Sequence, residues 1–477
     1  MKKKITLSIK IICAVLLIVI PFVSVPTAAL LSPSMFDESF VGALDEKFER
    51  LSGIEEEKIV IVGGSSVAFG YDSTIIEKYT EMPVVNFGLY AALGTKLMLD
   101  LSKKEIGAGD IVIIAPELDR QTLSLYFNSS ATLRALDGSP HLYKYIPSEH
   151  IFSLLGASWD FLKDKVSYMI NGKPAYEGVY SAASFNEYGD ISYYRQENEM
   201  PLYYDPNTPI ALFSDILDGE FVDYLNDYIA YCREEGAEVY FEYCPMNSLA
   251  ISDTVTDEQL ILFENYLKEN INCTFIGSGI KNYIYEPGYF YDTNFHLNTA
   301  GAVMHTVNVT KDLLLELSIP KAVKEDVPAA PPLPEADVRF FGEDENAEMF
   351  TYTKLSDGSY MITGVKEEYR AQTELTVPLG YDTYKVTAIG KGAFSASSVQ
   401  KLILTADTNI TMFANGSFEG ASNLSELWIY YPHEEKIMPP VDFIGTASGF
   451  KVYVPEGSTY KLGYYWSERG LTFEYIK

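Results

Sequence analysis

The chain has 477 residues, 47% of them hydrophobic, which is enough for two or three packed domains. Its formal net charge of −30 offers no basic surface to a phosphate backbone, so we expect no nucleic-acid partner. The four cysteines show no metal-ligand spacing, and no clustering of His, Asp and Glu in the sequence calls for a metal or another cofactor.

The N-terminal 31 residues have the composition of a membrane-targeting segment. Four lysines lie within residues 1–10, and the next 21 residues, 11–31, carry no charge. A stretch of this length can span a bilayer, and the lysines favour a cytoplasmic tail over residues 1–10. The alternative is a cleaved signal peptide with its site at Thr27-Ala28-Ala29. We therefore expect a single-pass protein of the cell membrane with an extracellular body, or a secreted protein if the signal is cleaved.

Strands and helices alternate over residues 50–319, which predicts an α/β domain with a doubly wound, flavodoxin-like parallel sheet. The predicted strands are Lys58–Val62, Val84–Phe87, Asp110–Ala115 and Ala237–Tyr243. The predicted helices are Ser73–Tyr79, Thr95–Lys104, Gly219–Glu235, Asp257–Glu269 and Thr299–Leu317. Residues 121–208 break the alternation and are rich in tyrosine. They indicate an insertion that acts as a lid or substrate wall, or a cap without a substrate role.

The strongest candidate for catalysis combines two segments far apart in the chain. An apolar β-branched run ends in Gly64-Ser65-Ser66, where a tight turn after a buried strand would expose a hydroxyl. Asp292 and His296 stand just before the last predicted helix and can supply an orienting carboxylate and a base. An ordinary connection or a phosphate cradle is the alternative for the turn. A phosphate loop requires a lysine soon after the glycine-rich turn, however, and none follows before Lys78.

These residues resemble a known superfamily. Gly64-Ser65-Ser66 followed by Gly70 resembles the first block of the SGNH (GDSL-type) hydrolases, which reads Gly-Asp-Ser, three residues, Gly. Asp292-x-x-x-His296-Leu-Asn is similar to a variant in a Gram-positive branch whose members resemble cell-wall D-alanylation and exopolysaccharide acetylation components. The resemblance implies that Ser66 is the nucleophile, His296 its base and Asp292 the orienter. Ser65 stands where the family usually has Asp and is the next candidate nucleophile.

The resemblance also implies an oxyanion hole. Its donors would be the backbone N–H groups of Ser66 and of Gly88, which follows the second strand. The superfamily normally supplies an Asn after the third strand, but Ala115-Pro116-Glu117 stands here. Loss of such a donor costs on the order of 3 kcal/mol. Either the insertion supplies another donor, with Asn86 a further candidate, or Glu117 has a different role, or the enzyme is weak.

A proline-rich linker, residues 320–336, separates this domain from a β-rich region over residues 337–477. In that region Phe394 recurs as Phe418 after 24 residues, and Leu402 recurs as Leu427 after 25. A period of this length is typical of leucine-rich solenoids.

The repeat region also resembles a known family. Ile389-Gly390-Lys391-Gly392-Ala393-Phe394 and the ending Val452–Ser458 resemble the BspA-type leucine-rich repeats of bacterial surface proteins. This resemblance implies adhesion or docking, with a protein as the partner of the repeats.

Taken together, the two resemblances imply an extracytoplasmic serine esterase or O-acyltransferase that acts on an acylated cell-wall polymer or carbohydrate. The alternative is a surface protein for adhesion or interaction, in which the hydrolase-like domain is weak or inactive.

Overall fold

The computed structural model describes residues 24–173, 175–200, 202–252, 254–333, 338–433, 436–458, 460, 466 and 469–476. The chain forms two compact units. The first unit contains Met1–Asn198 and Ile210–Leu333, and the second contains Glu199–Pro209 and Pro334–Lys477.

The predicted membrane-spanning segment falls largely outside the described residues. Its residues 11–23, and the predicted tail over residues 1–10, are not described. Across the described ranges, no helix has both the length and the apolar character needed to cross a bilayer.

The first unit is a mixed α/β fold around a parallel sheet, as the alternation of strands and helices predicts. Its strands are β1 Ile59–Gly63, β2 Val84–Gly88, β3 Ile111–Ala115, β4 Glu238–Phe241, β5 Met246–Asn247, β6 Thr274–Phe275 and β7 Ile284–Tyr285. Five of them form one sheet in the order β2-β1-β3-β4-β6, and every pair in it is parallel. Strands β1, β2 and β3 are buried along their whole length, because helices cover both faces of such a sheet.

Ten α-helices of the first unit are described. They are α1 over residues 24–31, α2 Leu44–Gly53, α3 Ser65–Gly70, α4 Ser73–Thr80, α5 Thr95–Ser102, α6 Ser129–Ala135, α7 Ile151–Asn171, α8 Gly219–Glu234, α9 Asp257–Asn270 and α10 Thr299–Glu316. The five predicted helices correspond to α4, α5, α8, α9 and α10, within one or two residues at most ends. Helices α6 and α7 lie inside the predicted insertion, between β3 and β4.

The second unit is β-rich and contains two further sheets. Its strands are β8 Phe350–Lys354, β9 Tyr360–Val365, β10 Glu374–Thr376, β11 Gly380–Tyr381, β12 Tyr384–Ile389, β13 Lys401–Leu404, β14 Met412–Phe413, β15 Glu426–Ile429, β16 Lys451–Pro455 and β17 Thr472–Ile476. One sheet runs β10-β13-β15-β16-β17 and is parallel throughout. The other runs β11-β12-β9-β8, with β14 paired to β12.

The recurring residues of the second unit occupy equivalent positions. Leu402 of β13 is the register partner of Leu427 of β15, and both are fully buried. Phe394 and Phe418 stack with their ring centroids 6.2 Å apart. The 25-residue spacing seen in the sequence is therefore the spacing of neighbouring parallel strands.

A short segment from the middle of the chain belongs to the second unit. Asn207 accepts a 2.7 Å hydrogen bond from the backbone N–H of Asn415 and donates from its own amide to the carbonyl of Phe413 at 3.2 Å. Leu202 packs with Ala388 and Met412. Residues 199–209 are thus part of the core and edge of the β-rich unit, although 124 residues of the first unit follow them in the chain.

Candidate functional site

Ser66 lies at the carboxyl end of β1, in the first turn of α3. A Cβ built on Gly64 would stand 2.3 Å from Glu117 Oε2, so any other residue here would displace that carboxyl group. The turn was expected to expose a hydroxyl, but Ser66 is only 1% exposed. Within the described part of the chain, Ser66 Oγ has no hydrogen-bond partner.

His296 and Asp292 form the contact expected of a base and its orienting carboxylate. His296 Nδ1 lies 2.8 Å from Asp292 Oδ1. The other carboxylate oxygen, Oδ2, accepts a 2.5 Å hydrogen bond from the hydroxyl of Tyr180. Thr293 Oγ1 accepts the backbone N–H of His296 at 3.0 Å and so supports the turn between the pair. Because Nδ1 is held by Asp292, Nε2 is the ring nitrogen left to exchange a proton.

Phe69 holds the His296 ring against the helix that carries the serine. The two rings are parallel within 6°, with centroids 3.9 Å apart. Phe69 follows Ser66 by three residues in α3, and residues with that spacing share a helix face. No hydrogen bond joins Ser66 Oγ to His296 among the described residues. Such contacts are often long in enzymes without substrate and shorten when it binds.

The predicted oxyanion donors all make hydrogen bonds within the chain. The backbone N–H of Ser66 donates to Glu117 Oε1 at 2.8 Å. The backbone N–H of Gly88 donates to Asn86 Oδ1 at 3.1 Å. The side-chain amide of Asn86 donates to Asp190 Oδ1 at 2.8 Å. These groups therefore stabilise the loops around Ser66, and an incoming oxyanion would have to compete for them.

Glu117 is buried beside the serine turn, with 2% of its surface exposed. Its Oε1 accepts the Ser66 N–H and also lies 3.3 Å from Ser65 Oγ. Its Oε2 has no hydrogen-bond partner within the described residues. Burial raises the pKa of Glu117, and the hydrogen bond from Ser66 only partly opposes this. The neutral carboxylic acid, which can donate a hydrogen bond, therefore persists to higher pH than in an exposed glutamate.

Two buried charged residues, Asp190 and Lys47, fasten the insertion to β2. Asp190 accepts hydrogen bonds from the side chain and backbone of Ser73, at 2.7 and 2.8 Å, and from Asn86. Lys47 Nζ donates to the carbonyls of Asn86, at 3.0 Å, and Gly189, at 2.5 Å. Burial lowers the pKa of Lys47 to about 7, against the opposing attraction of Asp190. Asn86 is thus held on its side chain and its backbone at once.

A second acid–base cluster lies in the core. Tyr71 donates to Glu242 Oε2 at 2.5 Å, and the hydroxyl of Tyr285 lies 2.9 Å from His305 Nδ1. His305 Nε2 is 3.2 Å from Glu242 Oε1, an ion-pair distance without hydrogen-bond alignment. Glu242 and His305 are fully buried, so this cluster joins α10 to the end of β4 as part of the packing.

Several residues of the site carry no signal in the sequence. Tyr180 comes from the tyrosine-rich insertion, where nothing distinguishes it from its neighbours. Phe69 has the pattern of an ordinary core residue. Lys47 and Asp190 lie outside every motif, and only the fold brings them to Asn86.

Searches of the chain against protein families, curated proteins and solved structures returned no match. Among the described residues, no group of three or more His, Cys, Asp and Glu side chains is arranged to hold a metal ion.

Proposed function

We propose that the first unit is a serine esterase or O-acyltransferase of the SGNH type. The observation that carries the proposal is the stack of His296 on Phe69, because it sets a carboxylate-oriented imidazole against the short helix that begins at Ser65. The sheet order β2-β1-β3-β4-β6 supports it, since ligands of doubly wound sheets bind beyond the carboxyl ends of the strands, where Ser66 lies.

In the proposed reaction His296 Nε2 takes the proton of Ser66 Oγ as the oxygen attacks the ester carbonyl. The new Oγ–acyl bond replaces the ester C–O bond, and His296 returns the proton to the departing alcohol. Water, or the hydroxyl of an acceptor, then attacks the acyl group on Ser66 while His296 takes its proton. The Oγ–acyl bond breaks, and His296 returns the proton to Ser66 Oγ. Asp292 stabilises the imidazolium that forms in each half-reaction, and Tyr180 orients Asp292.

In the proposed reaction Glu117 is the side chain that donates a hydrogen bond to the oxyanion. It follows the third strand, where the superfamily that this chain resembles has an asparagine. The N–H groups of Ser66 and Gly88 already have acceptors. A neutral Glu117 has a hydroxyl to offer at Oε2, as buried carboxylic acids do in other oxyanion holes.

For the substrate we propose an acylated cell-wall polymer or carbohydrate outside the cytoplasmic membrane. A cavity of about 360 Å³ in the insertion is lined in part by Tyr176, Ser181 and Tyr193. Tyrosine rings offer flat apolar faces with polar edges, which suit a sugar ring. The second unit, proposed to be a leucine-rich-repeat domain of the BspA type, would dock the enzyme on a protein partner.

Labelling by a fluorophosphonate tests the nucleophile. We expect the full chain to be labelled and to hydrolyse an activated acetate ester, and Ser66→Ala to lose both. Ser65→Ala is the matched control and should keep labelling. Labelling that survives Ser66→Ala and disappears in Ser65→Ala would identify Ser65 as the nucleophile instead.

A second function, a non-catalytic interaction protein, is favoured by two observations. The predicted oxyanion N–H groups are engaged within the chain, and Ser66 Oγ makes no hydrogen bond to His296 among the described residues. Absence of labelling and of ester hydrolysis in the folded full chain would support this function instead.

A further inference from the structure

Helix α7 is apolar on two opposite sides. Its inward side carries Leu154 and Phe161, which pack in a small core with Ala29 of α1. Its outward side carries Phe152, Trp159, Val166 and Ile170, which are 85%, 47%, 43% and 75% exposed. These four positions recur at intervals of seven, seven and four, so at 3.6 residues per turn they form one stripe along the helix. We call them the α7 stripe.

Such a stripe is unusual on a protein surface. An amphipathic helix has one apolar side, and a second one is normally covered by protein or lipid. The stripe extends over 18 residue steps from Phe152 to Ile170, or about 27 Å at 1.5 Å per step. The lysine within it, Lys163, is 2.7 Å from Asp160, so the stripe carries no unbalanced charge.

Helix α1 connects this surface to the uncharged N-terminal run. Lys165, fully buried in α7, donates to the carbonyls of Ala29, at 2.9 Å, and Ser32, at 3.2 Å, and pairs with Asp137 at 2.6 Å. The residues that precede α1 continue without a charge back to Ile11. Leu31, at the end of α1, is 81% exposed.

We propose that the α7 stripe lies in the interface of a lipid bilayer, parallel to its surface. The last turn of α1 is fixed to α7 by Lys165, and the uncharged run that leads into α1 begins at Ile11. An uncharged run of this kind partitions into a bilayer, so a protein held by it has α7 close to the lipid surface. A helix with an apolar side and a lysine that can extend to the headgroups is suited to that depth.

Depth-dependent quenching of Trp159 tests the proposal. The chain has three tryptophans, so the emission of Trp159 is obtained as the difference between the full chain and its Trp159→Phe variant. Both are reconstituted in vesicles of phosphatidylcholine and phosphatidylglycerol at 7:3, with bromines at carbons 6 and 7 of the acyl chains. We expect the difference emission to fall at least twofold, and to fall less with bromines at carbons 11 and 12.

Variants of the stripe separate lipid contact from mere proximity. Phe152→Ser with Ile170→Ser should reduce the quenching of Trp159 at least twofold. Ile261→Ser, on α9 and 60% exposed in the wild type, is the matched control and should leave it unchanged. A Trp159 emission that is blue-shifted yet unquenched would overturn the proposal, because the stripe would then be covered by residues 11–23, a second copy or another protein. Failure of the full chain to associate with vesicles would overturn it as well.

Discussion

The protonation state of Glu117 decides whether its carboxyl group can donate a hydrogen bond to an oxyanion. Its Oε1 accepts the N–H of Ser66, while Oε2, without a partner among the described residues, is the atom that can carry a proton. In the proposed reaction only the neutral acid donates to the oxyanion. Since burial raises the pKa of Glu117, the donor is present at low pH and lost as the pH rises through that raised pKa.

Two variants of Glu117 test this reasoning. Glutamine keeps a donor that does not titrate, so Glu117→Gln should retain ester hydrolysis and lose the alkaline decline in kcat that Glu117 causes. Glu117→Ala should lose about 10²- to 10³-fold in kcat, as when one oxyanion donor is removed. The measurement is kcat against pH for an activated ester. An inactive Glu117→Gln with native thermal stability would show that the carboxylate itself is needed.

Some of the site could be predicted from the sequence, because its parts adjoin strong local signals. Ser66 follows a buried β-branched run and a glycine pair, and His296 precedes a long helix. The state of Glu117 could not be predicted. Its pKa depends on burial beside the serine turn and near Cys244, which lies between β4 and β5.

At the scale of elements, the insertion is fixed to the sheet by a few buried polar contacts. Asp190 accepts three hydrogen bonds from Ser73 and Asn86, and Asn86 in turn accepts the N–H of Gly88. The same insertion supplies Tyr180 to the Asp292 carboxylate. The acid–base pair and the carboxyl end of β2 are therefore held by one segment.

We expect Asp190→Ala to destabilise the first unit by about 3 to 5 kcal/mol, because it leaves the buried donors of Ser73 and Asn86 without their acceptor. Urea unfolding followed by circular dichroism measures this. Glu187→Ala, at an exposed position of the same insertion, is the matched control and should change stability by less than about 0.5 kcal/mol. Equal effects of the two variants would mean that the Asp190 contacts do not hold the insertion.

Strands β1 to β4 could be predicted, and α7 could not. Runs such as Ile111–Ala115 are apolar at every position, which is typical of a strand covered on both faces. Helix α7 is apolar on two sides, so its sequence lacks the single stripe by which helices are recognised. It also lies within the tyrosine-rich residues 121–208, where the alternation of strands and helices gives no guide.

At the scale of the whole molecule, the chain passes between the two units three times, after residues 198, 209 and 333. No composition change marks the first two crossings, so the sequence predicts only the proline-rich one. Asn207 and Leu202 reach their partners Asn415 and Met412 through contacts between residues about 200 positions apart. Contacts of that separation leave no periodic pattern in a single sequence.

The isolated second unit provides a test of this arrangement. A fragment of residues 334–477 lacks the segment 199–209 and leaves Met412 and Ala388 without Leu202. We expect a synthetic peptide of residues 199–209 to raise the Tm of the fragment in a concentration-dependent way. The same peptide with Asn207→Ala is the control and should have a smaller effect. A Tm that neither peptide changes would mean that the segment contributes nothing to the stability of the second unit.

Residues 199–209 are synthesised long before the residues of the second unit that they contact. During synthesis Asn207 leaves the ribosome 208 residues before Asn415, the residue that it binds. At 5 to 20 residues per second, that interval lasts roughly 10 to 40 s. The first unit can finish folding within this interval, but it must do so around a loop whose partner has not yet been made. A nascent chain arrested before residue 415 should therefore be cleaved by protease within 199–209, while its flanking regions are already protected.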